Sequence, residues 1–202
     1  MKRDFYSQQF VRSPLNGQTV VVPSKALEVL LSWAETTPGV QGYEQLSPVL
    51  TYQRGASTLE TRVPLTLTMQ DGSRQYWDIQ MGAETVEHTV RKHFAQSTGG
   101  GYRCFGKEDL TRPSIEKRNR SHLRSLMFQG CDFESSAAER RLLEVLMPDG
   151  NTVRQLSAAM GYSTTQVLVI SARLWRKELV QLPLADEPLS EDWTIRRRTT
   201  WI

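Results

Sequence analysis

Residues 62–81 read RVPLTLTMQDGSRQYWDIQM, and the fold turns on how this stretch is read. Two runs rich in β-formers flank Asp71-Gly72, a dipeptide that strongly favours a two-residue hairpin turn. The spacing predicts a core β-hairpin.

The sequence upstream of the hairpin predicts an arm, a helix and short strands. Residues 1–22 read as an extended arm anchored by Phe5, Tyr6, Phe10 and Val20-Val21-Val22, with a turn at Asn16-Gly17. Ser24 is a good N-cap. Leu27, Leu30, Leu31 and Ala34 follow at helical spacing until Thr37-Pro38-Gly39 stops them. Residues 40–46 and 49–52 read as short strands broken by Pro48, and residues 54–58 as a polar loop into the hairpin.

On the other side, residues 84–96 predict a helix with Val86, Val90 and Phe94 on one stripe. Gly99-Gly100-Gly101 ends it, and residues 102–105 predict one more strand. Strands with helices between them imply an α/β layer with a mixed sheet over residues 1–111.

Residues 112–134 begin with a basic run containing Arg112, Lys117, Arg118, Arg120 and Arg124, expected as a helix connecting two domains. Residues 135–202 change character. Helices are expected over 135–147, 152–160 and 163–178, with Pro148-Asp149-Gly150 and Gly161 as stops. The middle pair reads as a helix-turn-helix. Residues 179–184 and 193–197 read as the strands of a wing around an acidic loop, which makes this a winged helix-turn-helix domain.

At 202 residues, with 39% hydrophobic and 23% charged, the composition is that of an ordinary globular protein. A formal charge of +3 means that affinity for nucleic acid has to come from local clustering. Cys104 and Cys131 lack the spacing of a zinc site and are expected as free, buried thiols in a reducing compartment. No stretch has the apolar run of a signal peptide or membrane span, so a cytoplasmic location and no membrane partner are expected.

The order of motifs carries a resemblance. A capped helix with Ser24-Lys25-Ala26-Leu27-Glu28 comes first, then Pro38-Gly39-Val40 and Glu44-Gln45. Val63-Pro64, the Asp-Gly hairpin and Tyr76-Trp77-Asp78-Ile79-Gln80 follow. This order resembles TnsA, the endonuclease subunit of heteromeric bacterial transposases. The resemblance covers about residues 20–105 by motif and the remainder by architecture. It implies a restriction-endonuclease-like domain followed by a winged-helix domain. It also implies DNA as a partner, with a transposase subunit and its ATPase regulator.

A nuclease of this kind needs carboxylates converging on Mg²⁺, which holds the scissile phosphate and activates water. The resemblance implies Glu28 and Asp78 as the acidic positions. It places Leu65 where the family has its metal-binding aspartate and Gln80 where it has a lysine. Leucine cannot ligate a hard cation, so a DNA-binding, cleavage-deficient subunit is the expectation, with no cofactor. The alternatives are an active Mg²⁺-dependent endonuclease with ligands relocated to Glu44, Glu60 or Asp71, and a stand-alone winged-helix transcription regulator. His88, His93 and His122 are too scattered for a zinc motif.

For DNA contact, a helix-turn-helix presents the N-terminal residues of its second helix to the major groove. These are Ser163, Thr164, Thr165 and Gln166, with Arg173, Arg176 and Lys177 placed for phosphates. Lys117, Arg118, Arg120, Arg124 and Arg197 are further phosphate candidates.

Overall fold

The computed structural model of the protein describes residues 9–13, 15, 19–129 and 136–198. The chain divides into two units, Met1–Ala34 with Val40–Arg112 and Glu35–Gly39 with Pro113–Ile202.

In the first unit, strand β1 (Gln9–Arg12) pairs antiparallel with β2 (Thr19–Val22). The expected turn at Asn16-Gly17 lies outside the described residues. Helix α1 (Lys25–Glu35) starts where Ser24 Oγ accepts a hydrogen bond from Leu27 N at 3.2 Å, as an N-cap should. Strand β3 (Val40–Gln45) follows, then β4 (Val49–Arg54) and β5 (Ser57–Arg62).

The core hairpin forms as expected, from β6 (Leu65–Met69) and β7 (Arg74–Gln80). Gly72 takes the left-handed conformation at φ +80°, and Asp71 Oδ1 accepts from Ser73 N at 2.9 Å to fix the turn. Helix α2 (Val86–Ser97) then crosses over to β8 (Gly101–Gly106), which runs parallel to β7, and the short α3 (Lys107–Thr111) closes the unit. The four-stranded sheet has the order β3-β6-β7-β8, with the first two pairings antiparallel. This first unit is an α/β fold with a mixed sheet.

Period two divides the sheet between two helices. Leu65, Leu67, Trp77 and Phe105 pack in one cluster with Leu27, Leu30, Leu31 and Ala34 of α1. Tyr76 packs on the other side with Val63, Leu50, Ala95 and the half-buried Val90 and Phe94 of α2. Burying each such side chain is worth about 1.5–3 kcal/mol, so the alternation itself holds the two layers on the sheet.

One segment differs from its expected form. Residues 54–58 are not simply a loop, because β4 and β5 form their own two-stranded hairpin around Gly55 at φ +62°. The β5 sequence STLETR buries only Thr61 fully, so it carries no apolar alternation that would mark a strand.

In the second unit, α4 (Ile115–Gln129) is followed by α5 (Ser136–Val145), β9 (Asn151–Thr152), α6 (Val153–Met160) and α7 (Thr164–Arg176). Strands β10 (Val180–Gln181) and β11 (Thr194–Arg197) complete it. The small antiparallel sheet has the order β9-β11-β10. Thr152 with Gln155 and Ser163 with Gln166 form reciprocal caps on α6 and α7, and Gly161 at φ +72° ends α6.

The basic segment is not a connection. Leu123, Leu126 and Met127 of α4 join Leu142, Leu156, Ile170 and Trp193 in the core of the second unit. The basic side chains hide an apolar stripe that is wide enough to pack. Residues 130–135, Cys131 among them, lie outside the described residues. No helix among the described residues is long and apolar enough to cross a membrane.

Candidate functional site

Asp78 sits at the middle of β7 and is fully buried. Aspartate is depleted in strands, and a buried carboxylate needs partners. Arg91 Nε of α2 donates to Oδ2 at 2.7 Å, Tyr102 Oη of β8 donates to the same oxygen at 2.7 Å, and Ile79 N donates to Oδ1 at 2.7 Å. Arg91 Nη1 in turn donates to Thr61 Oγ1 at 2.7 Å. Burial, and then the bond to the Asp78 carboxylate, push the Tyr102 phenol well above its ordinary pKa, so it stays a neutral donor.

The other positions implied by the nuclease resemblance are not brought to Asp78. Glu28 stands in the first turn of α1, and its carboxylate accepts from Lys25 Nζ at 2.7 Å. Since α1 packs on the Trp77 face and Asp78 is bonded to α2, the two carboxylates belong to opposite faces of the sheet. Leu65 is completely buried in the cluster under α1. Gln80 Nε2 donates to Gly82 O at 3.1 Å, while its Oε1 accepts a weak bond from Cys104 Sγ at 3.6 Å. Cys104 is free as expected but half-buried rather than buried, and desolvation pushes its thiol pKa up.

The relocated ligands fare no better. Glu44 accepts from Ser47 Oγ at 2.9 Å, Asp71 caps its own turn, and Glu60 is exposed on β5. Among the described residues no three His, Cys, Asp or Glu side chains gather as metal ligands. These residues do not fit a Mg²⁺ ion: the best-placed carboxylate already carries a cation, and that cation is Arg91. His88 is also committed, since Nδ1 accepts from Thr85 N at 3.0 Å while Nε2 lies 3.0 Å from Ile79 O.

In the second unit two of the proposed phosphate contacts are corrected. Arg120 is buried, with Nε donating to Glu116 at 2.8 Å and Nη1 to Thr36 O at 3.0 Å. Arg124 is buried and ion-paired to Glu35, which belongs to this unit. Both serve the core because long side chains on a packed helix turn inward when an acceptor waits there. Arg173 and Arg176 are half-buried, and burial lowers the pKa of Arg176. Arg118 and Arg197 are exposed, and Lys117 is half-buried.

Helix α7 encloses its middle and leaves its tip accessible. Residues 167–172 are buried one after another, and six successive positions at 100° each cover every direction around a helix. No face of that middle stretch is open to a DNA groove. The first turn is accessible: Thr165 is exposed, Thr164 and Gln166 are half-buried, and Gln166 Oε1 is engaged by Ser163.

No family model and no curated protein matches this chain. Reading the sequence alone missed Arg91, Tyr102 and Asn119. A charged residue between Trp77 and Ile79 signals that Asp78 has a partner, but Arg91 is 13 positions away and only the α2 crossover brings it near. Asn119 is buried in α4, where its amide donates to Leu184 O at 2.9 Å and Glu187 O at 2.8 Å and accepts from Leu189 N at 2.9 Å. It pins the acidic loop that was expected to form the body of a wing.

Proposed function

We propose that this chain is a DNA-binding subunit of a DNA-transposition complex, TnsA-like in descent, whose nuclease-like sheet no longer cuts. The observation that carries the loss of cleavage is the Asp78 carboxylate, buried under Arg91 and Tyr102 on the face of the sheet opposite α1 and Glu28. A catalytic carboxylate has to turn a free oxygen toward a metal and a phosphate. Asp78 has neither the exposure nor the charge to spare.

The nuclease-like reading draws support from topology. Helix α1, the antiparallel strands β3, β6 and β7, the crossover α2 and the parallel β8 follow one another in the order that a restriction-endonuclease-like core requires, with the β4–β5 hairpin inserted. The winged-helix reading draws support from the order α5-β9-α6-α7-β10-β11 and the central place of β11 in its sheet. The enclosure of α7 favours phosphate contact through exposed arginines such as Arg118 and Arg197 over base reading by its middle turns. A transposase subunit and its ATPase regulator are the protein partners that the resemblance implies.

The test incubates purified protein with transposon-end DNA, Mg²⁺ or Mn²⁺ and the cognate transposase, beside Glu28→Gln and Asp78→Asn. Expected are DNA retention without nicking, and weaker retention for Arg118→Ala and Arg197→Ala. Nicking that both carboxylate substitutions abolish sinks the cleavage-deficient reading. Absence of any DNA retention sinks the reading as a whole.

A further inference from the structure

Arg103 on β8 is exposed, and its guanidinium lies against a group of aromatic rings. Its Cζ lies 4.4 Å from the ring centroid of Phe105, 5.4 Å from that of Trp33 and 5.7 Å from that of Trp77. The three rings form one packed set, with Trp33 edge-on to Phe105 at 5.4 Å and Trp77 tilted against it at 5.0 Å. The cation is attracted to the ring faces, and its N–H groups are left to donate to a ligand. Among the described residues no carboxylate pairs with this cation. Strand β8 is also an outer strand of its sheet, with no strand partner beyond it among the described residues.

We infer that Arg103 is a phosphodiester contact on the first unit, a nucleic-acid site distinct from the arginines of the second unit. The inference rests on the DNA-binding reading above and adds a place on the nuclease-like sheet where the backbone of the nucleic acid is held. A planar fork matches two phosphate oxygens. The half-buried Trp33 beside it offers ring surface to the sugar or base next to that phosphate. An exposed sheet edge suits a polymer passing across it better than an enclosed small molecule.

The experiment measures binding of the full chain to a fluorescent 30-mer duplex by anisotropy between 50 and 200 mM NaCl. Wild type is compared with Arg103→Met, Arg103→Gln and Arg197→Ala, and circular dichroism checks folding. Methionine keeps apolar cover on the rings and glutamine does not, so loss of packing separates from loss of charge. The expected result is that both uncharged variants bind roughly tenfold more weakly at 0.1 M salt and lower the log–log salt slope by about 0.9, the share of one phosphate contact. A slope equal to wild type in the folded variants overturns the inference and leaves the DNA-binding reading intact. An Arg103→Met effect confined to a Glu-rich peptide also overturns it and assigns the cation to a protein carboxylate. A wild-type chain that binds no duplex even at 50 mM overturns both.

Discussion

Arg91 of α2 and Asp78 of β7 form a buried ion pair in the first unit, 2.7 Å between Nε and Oδ2. The pair links the crossover helix to the sheet where the hydrophobic cluster on that side is small, consisting of Leu50, Val63, Tyr76 and Ala95 with three half-buried neighbours. Taking one partner away leaves a buried charge, which costs about 3–5 kcal/mol. Asp78→Ala and Arg91→Met are each expected to destabilise the chain by that order in urea unfolding. The double variant Asp78→Leu/Arg91→Met is expected to recover most of the loss. Additive losses in that cycle would show that the pair is not coupled.

Asn119 is the corresponding polar fixture of the second unit. Its three hydrogen bonds hold residues 184–189 against α4. Asn119→Ala leaves Leu184 O and Leu189 N without this partner, while Glu187 O keeps the 3.3 Å bond from Trp193 Nε1, so a loss of about 2–3 kcal/mol is expected. Limited proteolysis should then cut within residues 184–191 before anywhere else in the unit. A cleavage pattern unchanged from wild type would place the loop's anchorage elsewhere.

Glu87 supplies a pH dependence. Hydrogen bonds from the hydroxyls of Thr85 and then Tyr52 hold its carboxyl down at about 2, against an ordinary 4.5. Its folded pKa is depressed, so its contribution to stability is complete above pH 4.5 and is lost as pH falls toward 2. Tyr52→Phe removes the 2.6 Å bond to Oε1 and should raise the Glu87 midpoint, as read by carboxyl NMR titration. A midpoint that does not move would mean that Thr85 alone sets it.

The enclosure of α7 separates packing from recognition. Ile170 is fully buried, so Ile170→Ala is expected to cost about 2–5 kcal/mol, while Thr165→Ala on the exposed first turn should change stability by less than about 0.5 kcal/mol. If the exposed arginines carry DNA contact, Arg197→Ala should weaken binding to all duplex sequences by a similar factor. A sequence preference that Thr165→Ala abolishes would instead assign base reading to the helix tip.

Much of the fold was legible in the chain. The Asp71-Gly72 turn, the strands around it, the capped helices α1 and α7 and the glycine stop of α6 depend on neighbours within a few positions, and local rules reach that far. Strand β5 was not legible, because its outward polar residues leave no alternation to read. The role of α4 was hidden as well, since its arginines dominate its composition while Leu123, Leu126 and Met127 determine its packing.

By itself the sequence determined the Asp71-Gly72 hairpin, the capped helices and the alternation that sends Trp77 and Asp78 to opposite faces. Only the tertiary structure decided what those residues do. An aspartate in a strand is a metal ligand or half of an ion pair according to what the next layer brings to it, and the α2 crossover brings Arg91. Arg120 and Arg124 are likewise phosphate contacts or core struts according to whether an acceptor lies within reach, and Glu116, Thr36 and Glu35 supply those acceptors. Charge is written in the sequence, but its partner is set by distance in space.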